Sequence, residues 1–497
     1  MKKSTLVLAG MLAMSTASKA DEGMWTLFNL PDAVYTQMVD YGFSLPCDML
    51  YNNPNAISNY VVNFSGFCSG VVVSPDGLVF TNHHCGFGAI NAHSTVEHDY
   101  MRDGFYAKNF AEELPNENMF VSFMRAQDDI TGRIAPLIAN KSLKEQGTII
   151  DSVENVLNDS IKKIDKTLHI EVAPFYEGNK YYATTYQDFT DVRLVFTVPK
   201  SMGKFGGDTD NWMWPRQTCD FSVFRIYADP KTNGPAPYSK DNVPYHPEHF
   251  APVSLQGYKD KDFAMTIGYP GSTNRYLSSY GIRQRRDIEN TARIESRDIK
   301  LAIMKKYMDA DQKVRIQYES KYAGSANYWK NSMGMNKCID SIGLIRQKAE
   351  YEGKIRNWLA KQPKKDSSID VDFNKLEQLY AQNRPLIQVT SYWVESFWKT
   401  TEFFTRATNV GTNMPLKGSA ANPKAQYVEF ADNSNDWNYA LDKELTAAML
   451  ENYAKMVPAE YHPAFFQTVT KKFGGNFYKY TDWLYKTSKL LKKGEKF

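Results

Sequence analysis

The sequence has no excess of charge of either sign. Its 59 basic and 56 acidic residues leave a net charge of +3, which gives no basis for expecting nucleic acid or an anionic membrane as partner. It shows no internal repeat and no low-complexity tract. Beyond the N-terminus no apolar run is long enough to cross a bilayer. There is no Cys-x-x-Cys clip, the usual spacing of a structural zinc site. No proline occurs between Pro270 and Pro363. Histidine numbers only 8 and cysteine 5 in 497 residues. Large-scale disorder is not indicated, because 42% of the chain is hydrophobic and 14% aromatic.

The chain is long enough for two or three domains. Its first residues read as a signal peptide. Lys2 and Lys3 form the positive start, Leu6 to Met14 the short apolar run, and Ser18-Lys19-Ala20 the small-residue cleavage site. Cleavage is expected after Ala20. Export makes disulfide pairing the default for Cys47, Cys68, Cys85, Cys219 and Cys338. Five is odd, so at least one is free or pairs elsewhere.

From about Asn63 to Tyr276 the chain reads as β-rich. Val71-Val72-Val73, Ser74-Pro75-Asp76-Gly77 and Leu78-Val79-Phe80 read as strand, turn, strand. Arg193 to Val198, Phe221 to Tyr227 and Phe263 to Ile267 are further expected strands, and Lys141 to Lys166 an expected helix. After Pro270 the pattern turns helical. Ile294, Leu301, Met304 and Met308 share one face, and Leu441, Leu445, Ala448 and Met449 repeat the spacing. Tyr392, Trp393, Phe397 and Trp398 read as core rather than as a ligand box. The basic tail Lys489 to Lys496 reads as a solvated end.

Two of the scarce histidines sit side by side in Thr81-Asn82-His83-His84-Cys85. One reading is a zinc site with Cys68, His83, His84 and Cys85, near His93 and His98. Neighbours on a strand point to opposite faces, so His83 and His84 would not readily share an ion. A second reading is a purely structural histidine pair. A third pairs Cys68 with Cys85, tying a strand to the loop that carries His84. Closing that loop is worth roughly 3 kcal/mol in the chain-entropy model. It would also hold His84 still, as a general base requires.

This arrangement resembles the chymotrypsin-like serine peptidases, in which the catalytic histidine precedes a disulfide-bonded cysteine. A longer stretch sharpens the likeness: Gly206-Gly207-Asp208-Thr209-Asp210-Asn211-Trp212-Met213-Trp214-Pro215-Arg216, followed by Gln217-Thr218-Cys219-Asp220-Phe221-Ser222. Together with Glu22-Gly23-Met24-Trp25, Ser74-Pro75-Asp76-Gly77 and Gly268-Tyr269-Pro270-Gly271-Ser272-Thr273-Asn274-Arg275-Tyr276, it is similar to the bacterial dipeptidyl peptidases of the 7 and 11 type. The resemblance runs over essentially all of the mature chain.

It implies a β + α multidomain fold: signal peptide 1–20, a chymotrypsin-like β-barrel domain at 21–275, and a large, mostly α-helical cap at 276–497. It implies a serine-type dipeptidyl peptidase that releases N-terminal dipeptides from oligopeptides for peptide nutrition. His84 would be the general base and Asp220 its orienting carboxylate. Asn211, Trp212 and Asn327 would hold the substrate's free amine, with Cys68 and Cys85 as the disulfide. No metal and no cofactor is implied. The partner is an oligopeptide with a free N-terminus, with homodimerisation as a family tendency. The location is the periplasm or cell surface of a Gram-negative bacterium.

Two departures follow. Where the family usually has His-Thr-Gly before the aspartate, this chain has Gln217-Thr218-Cys219, with a bulkier residue next to Asp220. The family's nucleophile lies in a Gly-Asn-Ser-Gly-Ser-Pro stretch that does not occur here. Gly271-Ser272-Thr273, Gly324-Ser325-Ala326 and Gly418-Ser419-Ala420 are the nearest tripeptides, and Ser69 belongs to the strand before the histidine. The expectation is therefore a C-terminally truncated chain that lacks most of the second barrel and is inactive by itself. The alternatives are a non-catalytic module that grips peptide N-termini and a structural envelope protein.

Overall fold

The computed structural model describes residues 24–207, 209–271, 274, 276–362, 372–398, 400–413 and 437–491. Outside them lie the expected signal peptide at 1–20, Glu22, Gly23, Asp208, Ser272, Thr273 and Arg275 of the expected motifs, Gly418-Ser419-Ala420, and residues 492–496 of the basic tail. The fold is mixed α/β, a large antiparallel sheet with many helices.

The strands are β1 (Val61–Phe64), β2 (Cys68–Val72), β3 (Leu78–Thr81), β4 (Phe105–Tyr106), β5 (Leu114–Pro115), β6 (Val121–Asp129), β7 (Leu168–Phe175), β8 (Lys180–Phe189), β9 (Asp191–Thr197), β10 (Ser222–Ala228) and β11 (Val243–Pro244). Helices that carry or support the site and the cores are α1 (His83–His93), α2 (Leu143–Ile164), α3 (Lys200–Gly203), α4 (Thr291–Ala310), α5 (Gln312–Ser341), α6 (Phe373–Phe397), α7 (Tyr439–Met456), α8 (Phe466–Phe473) and α9 (Phe477–Thr487). The chain divides into two compact units, each assembled from separated segments.

The first unit comprises Met1–Val79, Asn118–Val192 and Ile226–Arg275. Its strands run β2-β1-β6-β8-β7, every pairing antiparallel. β1 alternates half-buried and buried residues, so Val62 and Phe64 enter the core while Val61 and Asn63 do not. The turn after β2 uses the expected Ser-Pro-Asp-Gly chemistry. Ser74 Oγ accepts the N–H groups of Asp76 and Leu78. Gly77 takes φ 67°, and a Cβ there would lie 2.8 Å from the Tyr245 carbonyl oxygen. α2 opens on a reciprocal cap in which Ser142 and Glu145 each take the other's backbone N–H. Phe263 to Ile267, expected as a strand, is not one; its alternating apolar residues acquire no ladder partner among the described residues.

The second unit comprises Phe80–Glu117, Arg193–Arg225 and Tyr276–Phe497. β4 and β5 both pair antiparallel with β9. Two apolar clusters hold its helices together. One joins Met304, Val314, Tyr318, Leu441, Leu445 and Met449. The other joins Ala292, Tyr392, Leu450, Tyr453, Phe466, Phe477 and others. Both helical faces read from spacing contribute, Leu301 and Met304 on α4 and Leu441 to Met449 on α7. The aromatic stripe on α6 divides. Tyr392 and Phe397 pack into the core, while Trp393 and Trp398 stand about half exposed, 5.8 Å apart. Trp393 follows Tyr392 on the helix, so a turn of about 100° per residue carries it off the buried face, while Trp398 lies just past the helix end in extended backbone. Glu395, nearly buried, is compensated by Arg293 and Arg297 at 3.2 and 2.8 Å.

Candidate active site

The chain leaves β3 at Thr81 and turns directly into α1, with Asn82 as N-cap and His83 as first helical residue. The histidines therefore sit on a helix, which corrects both the strand of the zinc reading and the loop on which the disulfide reading placed His84. Their separate environments remain: His83 is buried, whereas the His84 side chain is 67% exposed.

Asn82 makes no side-chain cap. That role passes to Asp220, just before β10. Asp220 Oδ1 accepts the His84 backbone N–H at 2.9 Å, and Oδ2 meets His84 Nδ1 at 2.6 Å. A carboxylate at a helix N-terminus is favoured by the unpaired N–H groups and the helix dipole. Two more bonds fasten the same junction. Asn82 Nδ2 donates to the Asp220 carbonyl at 3.1 Å, and Ser222 Oγ donates to the Asn82 carbonyl at 2.8 Å. Phe221 packs edge-on against Phe80, ring centroids 5.0 Å apart. Gly86 lets α1 approach β10, since a Cβ there would come within 3.0 Å of the Phe224 ring.

Burial pushes the Asp220 carboxyl up, but the hydrogen bonds from the His84 ring and backbone outweigh it and hold Asp220 below its ordinary range. For His83, burial dominates and lowers it to about 4. Asp220 opposes the drop, and His84, Lys200 and Lys204 reinforce it. The His83 Nε2 has no partner among the described residues.

Gln217-Thr218-Cys219, the departure before Asp220, is pinned to α3. Thr218 Oγ1 donates to the carbonyls of Met202 and Gly203, and the Cys219 N–H donates to Met202 O at 3.0 Å. Cys219 is free and exposed. Cys68 and Cys85 are disulfide-bonded, and Cys47 and Cys338 are free. Disulfide sulfurs supply no thiolate for zinc. His93 bonds Asn116 at 3.1 Å.

Asn211, Trp212 and Asn327 also come together. Asn327 Oδ1 accepts from Asn211 Nδ2 at 3.1 Å and from Trp212 Nε1 at 2.9 Å. Arg216 donates to Asn211 Oδ1 at 3.2 Å. Trp212 adopts φ 58° and is half exposed, while Asn211 is buried. Gly334, two turns beyond Asn327 on α5, gives the Trp212 carbonyl room: a Cβ there would lie 3.1 Å from it.

Among the described residues no serine hydroxyl bonds the His84 ring, whose hydrogen bond is to Asp220. Sequence reasoning missed His83, Lys200, Gly203 and Ser222 as supports. His83 and Ser222 lie within the quoted motifs, whereas Lys200 and Gly203 carry no local signal.

The family model described as Peptidase S46 matches residues 20–496. The chain is 43% identical over 490 residues to dipeptidyl-peptidase 7 of Porphyromonas endodontalis, covering 98% of this chain and 59% of that protein. It is 42% identical to dipeptidyl-peptidase 7 of Porphyromonas gingivalis, covering 98% and 68% respectively. In structure it is similar to Porphyromonas endodontalis DPP11 in complex with the dipeptide Arg-Glu, with TM-score 0.82, 30% identity, and coverage of 95% of this chain and 69% of that one. The chain thus spans about six to seven tenths of the length of these relatives.

Proposed function

The chain belongs to the peptidase S46 family, and from that premise we propose that it carries the general base and the amine-binding part of a serine-type dipeptidyl peptidase. The substrate is an oligopeptide with a free N-terminus, and the product its N-terminal dipeptide. The finer architecture in this reading is a chymotrypsin-like barrel domain at 21–275 with a helical cap at 276–497. Export to the periplasm or cell surface belongs to the same reading.

The observation that supports it most is the doubly bonded His84–Asp220 pair. Asp220 holds Nδ1, which leaves Nε2 as the basic nitrogen facing the exposed side. Nε2 takes the proton of a seryl hydroxyl as that oxygen attacks the peptide carbonyl, and returns it to the leaving amine. Asp220 stabilises the imidazolium formed between those steps. These are the roles that histidine and aspartate play in the Ser-His-Asp triad of chymotrypsin. No serine of this chain is assigned as nucleophile.

Asn211, Trp212 and Asn327 supply amide and backbone oxygens, acceptors for a terminal ammonium without a full counter-charge. An ammonium is a stronger donor than the neutral N–H groups that now occupy Asn327 Oδ1. It can therefore compete for that oxygen.

Calorimetry with a tripeptide and its N-acetylated form tests the amine site. The free peptide should bind and the acetylated one should not; equal affinity for both refutes the assignment. A chromogenic dipeptide assay with a serine-directed inhibitor then tests turnover by the chain itself.

A further inference from the structure

We propose that the ion pair between Lys200 and Glu319 is a positioning element for the His84–Asp220 pair, acting through the short helix α3. The two side chains are hydrogen-bonded through Lys200 Nζ and Glu319 Oε1. Glu319 lies on α5 and is nearly buried, while Lys200 is the first residue of α3.

α3 is one turn long and has little stability of its own. Yet it touches the supports of both members of the pair. At its C-terminal end Gly203 lies against the His83 ring so closely that a Cβ would come within 2.7 Å of Nδ1. His83 immediately precedes His84. The carbonyls of Met202 and Gly203 accept the Thr218 hydroxyl, and Met202 O also accepts the Cys219 N–H. Cys219 immediately precedes Asp220. A shift of α3 would therefore displace the residues before His84 and before Asp220 together.

The anchor on the other side is firm. Arg315 Nη1 is 3.5 Å from Glu319 Oε2, and its Nη2 bonds Asp99 Oδ2 at 2.6 Å. Asp99 is fully buried and caps the helix Tyr100–Asp103 by accepting the Arg102 N–H. Lys200, Glu319, Arg315 and Asp99 form a continuous chain of alternating charge. A buried carboxylate with two cations keeps its place because leaving them would strand it desolvated.

α5 also carries Asn327, eight residues beyond Glu319 and thus about 12 Å along the helix. On the proposed function, one rigid helix holds α3 under the base and Asn327 at the substrate amine. The spacing between amine and base would then be set by α5. The positioning of the His84–Asp220 pair depends only on the ion pair's geometry, whatever the substrate.

The test reads the proton shared by His84 Nδ1 and Asp220 by NMR of the full chain, and needs no turnover. The parent should show a strongly deshielded imidazole N–H that disappears in Asp220→Asn. In Lys200→Met that proton should broaden and exchange with water roughly tenfold faster, because local opening exposes it. Lys200→Arg, which preserves the ion pair, should restore the parental rate. If Lys200→Met does not fold, Glu319→Gln, which preserves shape, must show the same acceleration. A folded Lys200→Met or Glu319→Gln chain with the parental exchange rate overturns the proposal, as does a parent without the deshielded proton. Peptide calorimetry is scored separately: a chain that shows the Lys200 dependence but binds no free N-terminus refutes the functional reading and leaves this one standing.

Discussion

Asp220 holds His84 at two points with one carboxylate, the backbone N–H on Oδ1 and the imidazole Nδ1 on Oδ2. The same contact caps α1 and fixes the ring, so helix start and imidazole orientation are a single structural event.

Replacing Asp220 with Asn should lower stability by about 2 kcal/mol at neutral pH, since a charge-assisted acceptor at a helix terminus is lost. Asp220 is held below the ordinary carboxylate range, so its contribution is present above the unfolded value and is lost as pH falls through the folded one. The gap between parent and variant in urea unfolding should therefore close below about pH 4. A gap that persists unchanged to lower pH contradicts this account of the pair.

His83 gives a second acid-side dependence. It titrates near 4 when folded, against 6.5 unperturbed. Between those values the unfolded chain binds more protons, so stability is full above about 6.5 and falls as pH drops toward 4. The buried ring makes the change about 3 kcal/mol. His83→Gln should flatten that part of the stability–pH curve, whatever its effect at pH 7.

Asp442 should act with the opposite sign. Burial, only partly offset by the Tyr485 hydroxyl and the N–H groups of Glu402 and Phe403, raises it to about 6. The folded chain then binds more protons between about pH 4 and 6, and stability declines across that window as pH rises. Asp442→Asn should remove the decline, leaving a steeper net rise with pH. An unchanged slope would mean that this carboxyl titrates normally.

Two glycines separate crowding from backbone entropy. Gly203→Ala drives a methyl into the His83 ring and should destabilise by about 2 kcal/mol. Gly324→Ala, mid-helix on α5 with nothing within 4 Å of the new Cβ, should stabilise by about 0.5–1 kcal/mol. Thermal unfolding of the two variants should move in opposite directions.

Much of the site is named by the family likeness, whose motifs are local. Residues 206–222 carry Asn211, Trp212 and Asp220 within one run, and Thr81 to Cys85 carries the histidines. Asn327 can be named only from the family likeness, since an exposed asparagine on a helix has no periodic or spacing signature. The histidines read as the end of a strand or the loop after it because they follow Leu78-Val79-Phe80 so closely. What starts the helix there is a carboxylate 136 residues away, beyond the reach of any local rule. The division of the α6 aromatics between core and surface is likewise hidden, because spacing fixes a face but not what covers it.

By itself, the sequence determined the β-rich first part, the helical second part, the chemistry of the turns, and which residues carry the candidate reactive groups. The first three follow from nearest-neighbour sterics and hydrophobic spacing, and the reactive groups from the likeness to a known family. Only the tertiary structure decided that His84 meets Asp220 twice, that His83 is buried under Gly203, and that Lys200 and Glu319 bond. Those relations depend on contacts across 119 to 136 positions, where burial and charge compensation, not local preference, select the partner.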